Sequence, residues 1–178
     1  MFNVITDKPP EIIGGLKLKT DFKQVLKYFS LLEETWSDAI KAQLIIKLFF
    51  EEIPEDGAQS WEVIEYFLTA GKKEEDSNAE RLFDFNVDHG RLFAAFLQTY
   101  NLDLRTVNLH WWVFMELFRA IPEDTVMMKI IEIRGKDVPT KGDKKAIRKL
   151  KKIKAAYKLE SKKADISNIE TMKSMMFH

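Results

Sequence analysis

The sequence predicts a mainly α protein: a single compact helical domain with a short N-terminal β-hairpin and a long basic C-terminal helix. Three observations predict it. Apolar residues recur three and four apart through most of the chain, the period of a helix buried on one side, rather than alternating as in a strand. Residues that cap helices stand in front of these stripes. With 178 residues, 46% of them hydrophobic and 12% aromatic, the chain can bury a core of ordinary domain size.

The elements follow in order. Residues 11–18 form a small hairpin, in which Gly14-Gly15 supplies the positive φ angles of a two-residue turn. Thr20-Asp21 starts the first helix, with Gln24 placed to close a capping box on Asp21. Phe22, Val25, Leu26, Phe29 and Leu32 give that helix one apolar stripe. Ser37 caps a second helix, in which Ile40, Leu44, Leu48 and Phe49 are expected to face inward. Ile53-Pro54-Glu55-Asp56 closes it and opens a third. Pro54 is expected in the new first turn, where its missing N–H loses no bond, and the two carboxylates at the positive end of the helix dipole. Trp61, Ile64, Phe67 and Leu68 form the buried side, Gly71 the C-terminal cap, and residues 72–80 a polar loop.

Asp84 and Asp88 flank the next helix start; Leu92, Phe93, Phe96, Leu97 and Tyr100 follow as a broad stripe that Asn101 ends. A helix through Trp111-Trp112 is expected to run from Asp103 or Thr106 to Ile121. Its middle is apolar nearly all round, as suits the central helix of a bundle, with Trp112 in the core and Trp111 or His110 reaching the surface. Ile121-Pro122-Glu123-Asp124 repeats the earlier punctuation, but the flanking sequences do not align, so it is no internal duplication. A short helix with Val126, Met127, Ile130 and Ile131 ends near Arg134-Gly135, and Pro139 and Gly142 mark a hinge. Beyond it Ile147, Leu150, Ile153 or Lys154, and Tyr157 share one face, with lysines elsewhere. The tail from Ala164 keeps a thin stripe, Ile166, Ile169, Met172 and Met176, and is expected to be weakly ordered alone.

A net charge of zero hides a division. Residues 1–140 hold 16 Lys and Arg against 24 Asp and Glu, whereas residues 141–178 hold 12 against 4. An acidic helical body (1–140) and a basic C-terminal helix and tail (141–178) are therefore distinct regions. The absence of cysteine excludes disulfides, thiolate zinc sites and cysteine nucleophiles, and fits a reducing compartment. The N-terminus lacks the basic-then-apolar order of a secretory signal, and the longest apolar runs, broken by Lys47 and Glu116, fall far short of a bilayer span. The expectation is a soluble cytosolic protein with no membrane role.

No constellation points to catalysis. Asp84-Phe85-Asn86-Val87-Asp88-His89-Gly90 begins like a calcium loop, but the glycine comes seventh instead of sixth and the twelfth position is Ala95, not Glu. A capped helix start is the better reading. His89, His110 and His178 lack the close spacing of a metal site. The acidic runs Glu33-Glu34, Glu51-Glu52 and Glu74-Glu75-Asp76 read as solvated faces. With no phosphate loop, nucleophile elbow or dinucleotide fingerprint, the expectation is a non-enzyme without cofactor or metal. The basic stretch 141–163 could bind nucleic acid by releasing phosphate counterions. It has only Arg148 for bidentate readout and only Tyr157 for stacking, so docking on protein is favoured, either within this chain or on a partner or the acidic body of another copy. The candidate residues for partner binding or self-association are Ile147, Arg148, Leu150, Lys151, Ile153, Lys154, Tyr157, Met172 and Met176.

One order of motifs is familiar. It runs Leu18-Lys19-Thr20-Asp21-Phe22-Lys23, then Leu82-Phe83-Asp84-Phe85-Asn86-Val87-Asp88 with Phe93-Ala94-Ala95-Phe96, then Tyr100-Asn101-Leu102-Asp103-Leu104. Leu109-His110-Trp111-Trp112-Val113-Phe114 with Leu117-Phe118 follows, and Met128-Lys129-Ile130-Ile131 with Arg134 closes it. From about residue 11 to Tyr157 this resembles the bacteriophage "gene product fifteen" family of tailed phages and prophages of Gram-positive bacteria. Lys23 stands where the resemblance leads one to expect arginine, and Asn86 where it leads one to expect an acid. The resemblance implies a product of the tail-gene region, near the tape-measure gene. It further implies a tail assembly chaperone acting in the host cytoplasm during phage assembly. Its partners would be the tape-measure protein, the tail tube protein or both, and further copies of itself. A nucleic-acid-binding phage protein and a structural head–tail or tail component of the virion are the alternatives.

Overall fold

The computed structural model describes residues 3–71 and 82–159. Among them are one hairpin, β1 (Ile12–Ile13) and β2 (Leu16–Lys17), and seven helices: α1 (Phe22–Leu32), α2 (Asp38–Phe49), α3 (Gly57–Leu68), α4 (His89–Tyr100), α5 (Trp111–Arg119), α6 (Val126–Gly135) and α7 (Lys144–Tyr157). The mainly α class, the hairpin and the basic C-terminal helix are as the sequence predicts. Two compact units account for the described residues: residues 3–71 with Asn108–Leu117, and residues 82–107 with 118–159. The expected loop 72–80 and the tail with Met172 and Met176 lie outside the described residues.

In the first unit β1 and β2 pair antiparallel, Ile12 with Lys17 and Ile13 with Leu16, about a turn whose Gly14 and Gly15 both have positive φ (57° and 81°). Side chains other than glycine rarely adopt that conformation twice in succession. Asp21 caps α1 through Lys23, whose amide donates to its carboxylate at 2.8 Å. The Gln24 amide goes instead to the Asp21 carbonyl, so the cap is a tight Asp turn and not the box drawn through Gln24. At the other end of α1 the ammonium of buried Lys41 donates to the Leu32 carbonyl at 2.9 Å, which satisfies an end carbonyl that lacks a helical partner.

Two expectations need correction here. In α2 the buried set is Lys41, Ala42, Ile45, Ile46 and Phe49, while Ile40 is 51% exposed and Leu44 and Leu48 are only half-buried. The helix is apolar around much of its circumference, so spacing alone left its rotation open. Pro54 does not enter the first turn of α3. The Asp56 carboxylate accepts from the Gln59 amide and fixes the start at Gly57, three residues later.

The core of this unit is aromatic. Phe22 stacks on Phe114 with ring centroids 4.6 Å apart; Tyr28 meets Phe49, and Phe49 meets Phe67, edge to face. Trp61, Val25, Ile45 and Ile64 are buried around them. Two isolated antiparallel bridges tie in the segments that enter the helices. Leu18 pairs with Phe50, and Asp21 pairs with His110, where the Phe22 amide donates to the Leu109 carbonyl and the Trp111 amide to the Thr20 carbonyl.

The helix of the paired tryptophans also starts later than expected, at Trp111 instead of Asp103 or Thr106. Asp103 is the reason. Its carboxylate accepts from the backbone amide of Arg105 and from that residue's guanidinium, which together hold the carboxyl down to about 2 and close a turn in place of a helix. Trp111 does not reach the surface either; it is 3% exposed, like Trp112.

In the second unit α6 packs on both α4 and α7. Leu92, Phe96, Ile121, Met127 and Ile130 are buried. Thr125 caps α6 by accepting from the Met128 amide, and Asn101, at φ 54°, ends α4 in the left-handed conformation. Phe83, Phe85 and Phe118 form a ring cluster, with Phe83 5.0 Å from each of the others.

Candidate interaction surface

Helix α7 begins at Asp143, whose carboxylate accepts from the Lys145 amide, and runs fourteen residues without one fully buried side chain. The expected stripe is present: Ile147, Leu150, Ile153 and Tyr157 are half-buried on one side, as is Lys154. Arg148 and Lys151 are exposed. The stripe packs in cis, against α6. Outward the helix carries Lys144, Lys145, Arg148, Lys149, Lys151 and Lys152, and α7 contains no acid. The structure thus brings together the seven candidate residues between Ile147 and Tyr157 on one helix, but divides them between an inward apolar side and an outward cationic one. Met172 and Met176 are outside the described residues.

Beneath α7 lies a polar hub that spacing did not reveal. Arg134, 5% exposed near the end of α6, uses its whole fork. Its Nε donates to the Tyr157 carbonyl at 2.7 Å, and Nη1 to the Leu82 carbonyl at 2.9 Å. Its Nη1 and Nη2 also donate to the two Asp88 oxygens, at 2.6 and 3.0 Å. One guanidinium therefore joins the end of α7, the start of α4 and the chain entering the unit, in the bidentate geometry that makes arginine–carboxylate pairs strong. Arg91 adds a second cation at 2.7 Å from Asp88, and its guanidinium lies 5.7 Å from the centre of the Tyr157 ring. Burial pushes the Asp88 carboxyl up. The hydrogen bonds from Arg134, the Asp84 amide and Arg91, with the Arg134 charge, more than offset this and hold it below the ordinary carboxylate value. Lys154 completes the attachment of α7, donating to the Lys136 carbonyl at 2.7 Å.

The hub explains the calcium-like run. Asp84 folds its carboxylate back onto the amides of Asn86 and Val87, and Asp88 holds arginine. The cation of this loop is an internal guanidinium. Among the described residues no group of three or more His, Asp or Glu side chains could hold a metal ion, and no helix is long and apolar enough to cross a membrane.

The paired tryptophans serve a different end. The last four carbonyls of α3 have no helical partner of their own. Glu65 receives the Thr69 amide and hydroxyl, Tyr66 the Gly71 amide, and Phe67 the Ala70 amide. The indole N–H of Trp112 adds to Phe67 at 2.8 Å, and that of Trp111 satisfies Leu68 at 2.9 Å. His110 sets the helix that carries both indoles. Its Nδ1 accepts from the Trp112 amide at 3.1 Å and its Nε2 donates to the Pro10 carbonyl at 3.0 Å, which requires the neutral ring. Burial lowers its pKa, against smaller raising effects of the Pro10 carbonyl and of Glu11. The run His110-Trp111-Trp112 is thus a structural joint and not a binding platform.

By fold this is a mainly α protein with an N-terminal hairpin and a cationic C-terminal helix. The model of the Bacteriophage Gp15 protein family matches residues 11–159, and the chain belongs to that family; it is a phage protein. No curated protein and no solved structure matches it.

Proposed function

We propose that the chain is a non-enzymatic tail assembly chaperone. It binds the tape-measure protein in the host cytoplasm during tail morphogenesis, self-associates, and requires no cofactor. The observation that carries this reading is the outward face of α7, a row of lysines with Arg148 and no acid, on a helix whose apolar side is already covered by α6. Such a face is suited to steering and holding an acidic or amphipathic helical partner. The resemblance to tail-gene-region proteins supplies the identity of that partner. Trp36, Ile40 and Ile53, each about half exposed or more, offer apolar contact area of the kind found at protein interfaces. Co-expression with the neighbouring tape-measure protein should raise the latter's solubility. No effect with the full chain or with truncated forms of the tape-measure protein would sink the reading.

The same cationic face favours a second reading, a nucleic-acid-binding phage protein. Duplex mobility measured at two salt concentrations separates the two. Binding that weakens steeply with salt, and disappears on reversing the charge of Arg148 and Lys152, supports nucleic acid. Mass spectrometry of purified particles tests the remaining alternative, since a virion component is present there and an assembly chaperone is not.

A further inference from the structure

The two units carry opposite charge. The described residues of the first hold seven lysines against thirteen acids, a net −6; those of the second hold fifteen lysines and arginines against eight acids, a net +7. On the first unit, α2 and the turn that follows it leave apolar side chains in water. Trp36, just before the Ser37 cap, is 48% exposed, Ile40 51% and Ile53 63%. Between α2 and the start of α3 lies a cleft of ≈ 790 Å³ with Ile46, Ile53 and Pro54 among its walls. Acids stand at both ends of this surface: Glu34 and Asp38 beside Trp36, and Glu52, Glu55 and Asp56 beside Ile53. Lys47, also in the cleft wall, is the cation among the lining residues, so positive charge on an occupant belongs at the ends.

We propose that the exposed side of α2 with its adjoining cleft is a docking surface for the cationic face of α7 from a second copy of this chain. The inference rests on the self-association included in the proposed function and assigns its surfaces. Charge decides the occupant: the outward side of α7 has no acid to repel Glu52 and Glu55, and its lysine stems can cover Ile53 and Trp36 while their ammonium groups reach the acids. Length agrees. At the rise of an α-helix, α2 is about 18 Å long and α7 about 21 Å. An exposed tryptophan among acids is also the residue type that most often anchors an interface, and it attracts lysine and arginine through its ring face.

Sedimentation velocity of the full chain at low and high salt tests the proposal, because attraction between exposed charges is screened as ionic strength rises. The expected result is association at low salt that weakens about tenfold or more at high salt. Arg148→Glu with Lys152→Glu should weaken it by a similar factor, as should Glu52→Lys with Glu55→Lys, and combining the two reversed pairs should restore it. Trp36→Ser should weaken it independently of salt. All these side chains are exposed or half-exposed, so melting temperatures should stay close to that of the parent chain and separate lost docking from lost folding. A chain that sediments as a monomer at low salt overturns both the surface and self-association. Association indifferent to reversal of Glu52 and Glu55 overturns the surface and leaves self-association standing. Neither result excludes tape-measure binding through the same face of α7, which co-expression decides.

Discussion

In the first unit the interior is a run of rings, Phe22, Phe114, Tyr28, Phe49 and Phe67, and its buried polar atoms serve mainly to finish helix ends. In the second, apolar side chains are again buried, but three segments converge on one charged group, Arg134, against Asp88. The first arrangement gains from area removed from water and tolerates small shifts. The second is an ion pair withdrawn from water, whose attraction must offset the desolvation of both partners and which holds one geometry. Helix α7, with no fully buried side chain, is therefore attached chiefly by polar contacts and a shallow stripe, whereas α5 is built into an aromatic core.

The largest effect should come from Trp112→Ala, which removes a buried ring and an indole cap together. It should destabilise the protein by about 3–5 kcal/mol in denaturant melts. Retained stability would mean that α3 and the aromatic core do not depend on α5. Arg134→Met should cost about 3 kcal/mol by leaving the buried Asp88 carboxylate to Arg91 alone and the Tyr157 and Leu82 carbonyls without their donor, and the double variant with Asp88→Leu should recover part of that loss, because the buried charge is gone from the hub. No such recovery is available to Trp112→Ala. If the double variant is no better than the single, the cost of Arg134→Met does not come from the Asp88 charge.

Acid should sharpen the contrast. The neutral His110 ring has a folded pKa below its ordinary 6.5. Its contribution is therefore intact above that value, and falls as the pH drops toward the folded pKa, since the unfolded chain takes the proton first. Asp88 is held below 3.8, so its contribution is intact above 3.8 and is lost only as the pH falls through the lower folded value. Stability measured against pH should decline in two steps, and His110→Asn should remove the upper one. A single step near the carboxylate range would contradict the neutral-ring assignment. The smallest effect concerns Ala70, which has φ 55° where the end of α3 turns left-handed. Ala70→Gly should stabilise by about 1 kcal/mol, and a loss on that substitution would show the turn to be held for another reason.

Much of this architecture can be read from local spacing, and each miss has a physical origin. The Gly14-Gly15 turn, the caps at Asp21 and Ser37, the end at Asn101 and the stripe of α7 all depend on residues a few positions apart. The rotation of α2 was not legible because apolar residues surround it, and the late start of α5 depended on Asp103 choosing the Arg105 amide over a helical role. The hub was beyond reach for another reason: Asp88 and Arg134 are 46 residues apart, and no period links them. The candidate surface was legible as a helix face. Its division into an inward stripe against α6 and an outward cationic row needed the fold.

The indole caps carry a consequence for the timing of synthesis. Phe67 and Leu68 leave the ribosome with α3, but the donors on Trp112 and Trp111 come 45 and 43 residues later. At about 5–20 residues per second, Trp112 is added about 2–9 s after Phe67. Until then the end of α3 has only water, Thr69 and the turn at Ala70 and Gly71 to satisfy it, and the Phe22 ring lacks Phe114. The N-terminal unit is thus an early-translated half that must wait for a late-translated strip of chain, with residues 78–107 of the other unit produced in the interval. A nascent chain halted before residue 108 should accordingly be far more open to protease than one halted after both tryptophans have emerged.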